Sequence, residues 1–168
     1  MSSFTATPPP QSTQTLESVE LASFLNPGQI EAITECFGHG PTGQFVKSSQ
    51  GVTHYKITEA ALEKARSPKE YVVMCHGIGT NINVYSDLAK TLSSDGFTVI
   101  RYEFFDHGWS VLRDHKTLIT EEVMVKQVDD MLTHITGSAE TEVHNFVGHS
   151  TGGLVAIACA DKLPHRKV

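Results

Sequence analysis

Apolar residues first gather between Thr15 and Phe37. There Leu16, Val19, Phe24 and Leu25, then Ile30 and Ile33, predict two short helices broken at Asn26-Pro27-Gly28. Asn26 suits the cap of the second helix and Pro27 its first position. Two extended runs follow, Gln44 to Lys47 and Val52 to Ile57, and Ser48-Ser49-Gln50-Gly51 between them predicts a hairpin. Tyr71-Val72-Val73-Met74-Cys75 is a continuous apolar run of the kind buried on both faces of a sheet. Val84, Tyr85, Leu88, Ala89 and Leu92 then share one helical face, which stops at Asp95-Gly96. Phe97 to Phe104 reads as a second strand, and Thr120 caps a helix carrying Met124, Val128, Met131, Leu132 and Ile135 as far as Gly137. Val143 to Val147 is a third apolar run that enters Gly148 directly. Leu154, Val155, Ala158 and Leu163 mark a final helix closed by Pro164.

A hairpin followed by three strand-helix units predicts an α/β fold with a parallel sheet covered on both faces. Ligands of such sheets gather at the carboxyl ends of the strands. Met1 to Gln14 is different in texture, rich in Ser, Thr and Pro and too poor in apolar groups to offset chain entropy. The expected organisation is a Ser/Thr/Pro-rich tail with short helices over 1–40 and one domain over 41–168.

Composition narrows the picture without changing it. With 168 residues, 39% hydrophobic and 19% charged, the chain suits a single soluble domain. A net charge of −6 with no Lys/Arg cluster argues against nucleic-acid partners and anionic membranes. No run reaches the length of a membrane span, and the N-terminus has no basic residue followed by an apolar run, its first arginine being Arg66, so no leader is expected. Cys36, Cys75 and Cys159 are odd in number and far apart, and no Asn is followed by the glycosylation pattern, so free thiols in a reducing, cytoplasmic setting are expected. His54, His134 and His144 show no metal-ligand spacing and read as surface or satisfied core groups.

The chemistry concentrates at Gly148-His149-Ser150-Thr151-Gly152. A serine hydroxyl is a poor nucleophile unless it is exposed and partnered with a base. The G-x-S-x-G pattern exposes it on a strained strand-to-helix turn, with Gly148 and Gly152 leaving room for the backbone, and here a strand precedes the turn and a helix follows it. Ser150 is the candidate nucleophile. Acyl transfer also needs donors for the developing oxyanion. The expected donors are the N–H groups of Thr151, after the nucleophile, and of Ile78, in His76-Gly77-Ile78 at the end of an earlier strand. His76 fits an organiser of that turn better than a base, and His149 fits packing. Asp106 and His107 fit loop shaping, since Asp followed shortly by Gly is a turn signal. Cys75 next to His76 reads as core, because adjacent strand residues face opposite ways.

From about Gly43 onward the chain resembles the N-terminal half of an α/β-hydrolase of the serine-hydrolase, monoacylglycerol-lipase-like branch. The matching pieces are His76-Gly77 after the first central strand, Asp106-His107-Gly108-Trp109-Ser110 after the next, and Gly148-His149-Ser150-Thr151-Gly152-Gly153 at the elbow. The resemblance implies a partial sheet of a hairpin plus three parallel strands with flanking helices, the C-terminal strands and lid being absent. It also implies hydrolysis of small-molecule carboxylic esters, lipid-like ones above all, without metal or organic cofactor. The family's triad order is Ser, acid, His. Only Asp161 and His165 follow Ser150, and along a helix they stand about 16 and 22 Å away, so neither can be its partner. The triad acid and His therefore have no representative in this chain, and an unpaired strand Val143 to Val147 would invite self-association through the open sheet edge. The alternatives are a catalytically impaired fragment serving as a binding or regulatory module, or a peptidase, thioesterase or C–C bond hydrolase in full-length form.

Overall fold

Ser48-Ser49-Gln50-Gly51 closes the first hairpin as its composition predicts: Ser48 N–H donates to the Gly51 carbonyl at 2.8 Å and joins β1 (Gln44–Lys47) to β2 (Gly51–Thr58). In this computed structural model, which describes residues 25–38, 40, 42–114, 116–137 and 143–163, the hairpin forms one side of a six-stranded mixed sheet. The other strands are β3 (Glu70–Cys75), β4 (Thr98–Tyr102), β5 (Val111–Leu112) and β6 (Val143–Gly148). The order is β1-β2-β4-β3-β6, with the two-residue β5 paired to the start of β2, a strand the apolar pattern did not announce. β1 pairs with β2 and β2 with β4 antiparallel, whereas β4, β3 and β6 are mutually parallel, as three strand-helix units require. Among the described residues β6 pairs only with β3 and is the bare edge of the sheet.

Among the described residues four α-helices accompany the strands: α1 (Pro27–Phe37), α2 (Ser86–Ser94, entered through a 3-10 turn at Ile82–Tyr85), α3 (Glu121–Thr136) and α4 (Thr151–Lys162). The start of α1 is a reciprocal box in which Asn26 Oδ1 accepts from Gln29 N–H at 3.0 Å and Gln29 Oε1 from Asn26 N–H at 2.9 Å. Gly38 in the left-handed region ends it. Thr120 caps α3 as expected and Gly137 closes it. The earlier helix predicted through Leu16, Val19 and Phe24, the tail Met1 to Gln14 and His165 lie outside the described residues.

The sheet is buried on two sides. Tyr71, Val73 and Cys75 share one cluster with Met131 and Leu132 of α3 and Val155 and Cys159 of α4, while Val72, Met74 and Val99 face Ala89 of α2 on the other side. This explains the unbroken apolar run in β3: alternate side chains serve different cores. Leu25, Ile30 and Ile33 pack with Phe45, Val52, Trp109 and Val111 in a third cluster. Three helix positions depart from the predicted faces. Val84 and Leu88 are 58% and 43% exposed, because the 3-10 entry turns the helix so that only Ala89 is fully inside. Leu154 is 70% exposed, as is Ile157, because Val155, Ala158 and Cys159 define the side of α4 that meets the sheet.

Candidate functional site

β6 delivers Gly148 to the carboxyl end of the sheet, where it pairs with Cys75, so the ends of β3 and β6 stand side by side. The chain must reverse into α4 within two residues. Ser150 carries this reversal with φ 57° and ψ −127°, a conformation outside the regions L-residues favour that costs about 1–3 kcal/mol. Contacts too close for any Cβ fix the surroundings: a methyl on Gly148 would stand 2.0 Å from the Gly152 carbonyl oxygen, and one on Gly152 would stand 2.0 Å from that of Cys75. Ser150 and His149 are exposed. Ser150→Gly should therefore raise stability by about 1–3 kcal/mol through relief of the backbone alone, and urea unfolding curves against the wild type measure it; an unchanged or lower midpoint would contradict the strain assignment.

The second piece of the site is the turn after β3. Gly77 lies against the elbow, since a methyl on it would be 3.4 Å from Ser150 Cβ and 3.4 Å from His149 Nδ1. Buried His76 holds this turn. Phe104 N–H donates to its Nε2 at 3.1 Å, which leaves the ring proton on Nδ1, and Nδ1–H donates to the Gly77 carbonyl at 2.8 Å. Thr80 gives that carbonyl two more bonds, from Oγ1 at 2.7 Å and from its N–H at 3.2 Å. Three donors on one carbonyl fix the Gly77–Ile78 peptide plane. Because the peptide is trans, the N–H of Ile78 points the opposite way, and it has no hydrogen-bond acceptor among the described residues. The Thr151 N–H, first in α4, is likewise unmatched, whereas Gly152 N–H donates to the His149 carbonyl and Gly153 N–H to that of Ser150.

Burial is the main cause pushing the His76 pKa below its ordinary 6.5, and the neighbouring His107 adds to it, while the Gly77 carbonyl and Glu103 act in the opposite sense. A base depressed in the folded state binds fewer protons there than in the unfolded chain. Its contribution is complete above about pH 6.5, falls as the pH drops below that value, and levels off once the folded ring is also protonated. Unfolding free energies of wild type and His76→Gln across pH 5 to 8 should differ in slope on the acid side only; parallel curves would refute this.

The turn after β4 completes the sheet end. Asp106, at φ 59°, accepts from Leu112 N–H at 3.3 Å, and His107 Nδ1–H donates to the Phe105 carbonyl at 3.1 Å with its ring 5.2 Å from that of His76. The two therefore shape the loop. No imidazole hydrogen-bonds the Ser150 hydroxyl among the described residues. Asp161 is exposed in the last turn of the continuous helix α4, about 16 Å along it from Ser150. Cys75 is fully buried, its thiol pushed up to about 12 by desolvation with Tyr102 O–H donating to its sulfur, so it is core. No three His, Cys, Asp or Glu side chains converge as a metal site among the described residues. A groove of about 470 Å³ between α1 and the 106–111 turn is lined by Leu25, Ile33, Cys36, Asp106 and Val111.

Sequence reasoning missed a buried polar cluster beneath that turn, made by His54, Glu103, Ser110 and Gln127. Its one available signal was Glu103, the lone acid in an apolar stretch from Phe97 to Phe105.

Residues 66–168 match the family described as "Serine aminopeptidase, S33". A proline iminopeptidase from Lactobacillus acidophilus is 33% identical over 107 residues, covering 62% of this chain and 33% of that protein. The chain thus spans about a third of the length of the curated relatives it matches. Among solved structures, an α/β hydrolase enzyme from a Medee basin deep-sea metagenome library superposes with a TM-score of 0.60 at 22% identity, over 74% of this chain and 41% of that one. The enol-lactonase from Burkholderia xenovorans gives 0.60 at 23% identity, over 73% and 43%. These likenesses establish the fold.

Proposed function

Since the chain belongs to the serine aminopeptidase S33 family of α/β hydrolases, we propose that residues 41–168 carry the nucleophile half of a serine-hydrolase site, with 1–40 appended to it. Ser150 is the nucleophile. The N–H groups of Ile78 and Thr151 bind the oxyanion, His76 and Gly77 hold the first donor in place, and Gly148 and Gly152 permit the elbow. The substrates are small carboxylic esters of lipid-like character, in a reducing, cytoplasmic setting. The observation that carries this reading is the strained, exposed Ser150 beside a peptide plane whose carbonyl is tied on one side and whose N–H is free on the other. Attack by Oγ on an acyl carbon would place charge where two preset donors can each contribute about 3–4 kcal/mol. The proton leaving Oγ needs an acceptor, and among the described residues Asp161 is too far along α4 and no imidazole hydrogen-bonds the hydroxyl. Turnover by these 168 residues alone should therefore remain at the level that oxyanion binding can support.

Fluorophosphonate labelling tests the reading, since Oγ–P bond formation with loss of fluoride needs a reactive serine. Slow labelling of the folded wild type, above that of Ser150→Ala, is expected, since the oxyanion donors act even without a base, and equal labelling excludes Ser150 chemistry. A peptidase is favoured by the curated relatives named proline iminopeptidase, and a p-nitrophenyl ester series against a proline p-nitroanilide separates the two. A binding role that includes self-association is favoured by the bare edge of β6, which has no charged residue between Val143 and Gly148. Sedimentation at rising concentration would show a monomer throughout if this role is wrong.

A further inference from the structure

His54 on β2 and Glu103 just beyond β4 are 2% and 1% exposed and make the contact His54 Nδ1 to Glu103 Oε2 at 2.9 Å. The other ring nitrogen, Nε2, stands 3.1 Å from the Thr42 carbonyl oxygen. A carbonyl only accepts, so Nε2 carries a proton. Glu103 Oε2 also accepts from Trp109 N–H at 2.7 Å, a short bond of the charge-assisted kind. A carboxylate there leaves Nδ1 to supply the proton between the two groups. Neutral imidazole with carboxylate would hold one proton for two acceptors and would bury an uncompensated charge.

The same pair carries the turn that follows β4. Ser110 Oγ donates to the Glu103 carbonyl at 2.8 Å and accepts from His54 N–H at 2.9 Å. Gly108, at φ 53°, lets the turn lie directly on the carboxyl group, since a methyl there would be 2.2 Å from the Glu103 carboxyl carbon. Gln127 of α3 ties in Thr53 and the Glu103 carbonyl. The turn in its place presents His107 to His76, whose ring holds the Gly77–Ile78 peptide.

We propose that His54 and Glu103 form a buried imidazolium–carboxylate pair that acts as a positioning pair, setting the 106–110 turn and, through His107 and His76, the Gly77–Ile78 peptide. The consequence for catalysis rests on the function proposed above; the proton count and the ring-to-ring coupling do not.

Proton-detected ¹⁵N spectra of histidine-labelled protein test it. The wild type should show two slowly exchanging ring N–H groups on His54, and a nuclear Overhauser contact between the His76 and His107 rings. Glu103→Gln keeps the shape of the side chain but removes its charge. It should leave His54 with one ring proton and weaken the His76–His107 contact severalfold, with the β3–β4 backbone contacts unchanged. Should that variant not fold, His54→Gln should weaken the same ring contact without altering those of β3 and β4. A single ring proton on His54 in the wild type, or an unaltered His76–His107 contact in the folded variant, overturns the proposal. Neither readout involves Ser150 reactivity, so absence of labelling at Ser150 would bear only on the proposed function.

Discussion

Gly152→Ala should leave no cooperative unfolding transition under conditions where the wild type is folded. The added methyl would lie 2.0 Å from the carbonyl oxygen of Cys75, 2.5 Å from its carbon and 2.5 Å from the carbonyl oxygen of His76. All three are backbone atoms at the end of β3, and no side chain can swing aside to relieve them. Ordinary overpacking costs about 1–3 kcal/mol because rotamers and loops share the strain. Here α4 would have to part from β3, which moves the expectation to about 4 kcal/mol or more, a large part of the total stability of a small domain. Gly153→Ala is the matched control. Its nearest neighbour is 3.5 Å away, at the carbonyl oxygen of Gly148, and it is helical, so the exchange should stabilise by up to about 1 kcal/mol through propensity. Urea titrations followed by far-ultraviolet circular dichroism distinguish the two, and similar midpoints would mean that the elbow is not packed as described.

Ile78→Pro should separate stability from chemistry. Gly77 to Thr80 is a turn closed by Thr80 N–H on the Gly77 carbonyl, with Gly79 at φ 75° in its third position. Proline suits the second position of such a turn, and Ile78 is 70% exposed, so nothing packs on the side chain that is lost. Stability should hold or rise by about 0.4–1 kcal/mol through the unfolded state. The N–H of Ile78 disappears, however, and with it one of the two oxyanion donors proposed above. The rate of fluorophosphonate labelling at Ser150 should then fall about 10²–10³-fold relative to Ile78→Ala, which retains the N–H. Equal rates in the two variants would remove Ile78 from the site.

What could be read directly from the chain was whatever is decided within a few residues. The cap at Asn26, the turn at Ser48 to Gly51, the stop at Gly137 and the two-sided burial of Tyr71 to Cys75 are set by local sterics, hydrogen bonds and side-chain period, and all four appear in the fold. The same holds for the elbow, where Gly148 and Gly152 bracket Ser150 at the spacing a tight strand-to-helix reversal needs. Tertiary structure alone decided which side of each helix is covered, leaving Leu154 and Ile157 exposed while Val155 and Cys159 reach the sheet, because that depends on the angle at which the sheet receives the helix. It also decided the use of His54 and Glu103. They are separated by 49 positions and meet only because β2 pairs antiparallel with β4 in the register Tyr55 to Tyr102. Apolar period cannot encode such a meeting, since it records burial and not the partner. His76 shows both levels at once: the sequence places it at the end of a strand, and only the neighbouring strand, through Phe104 N–H, fixes its proton on Nδ1 and so the direction in which the Ile78 N–H points.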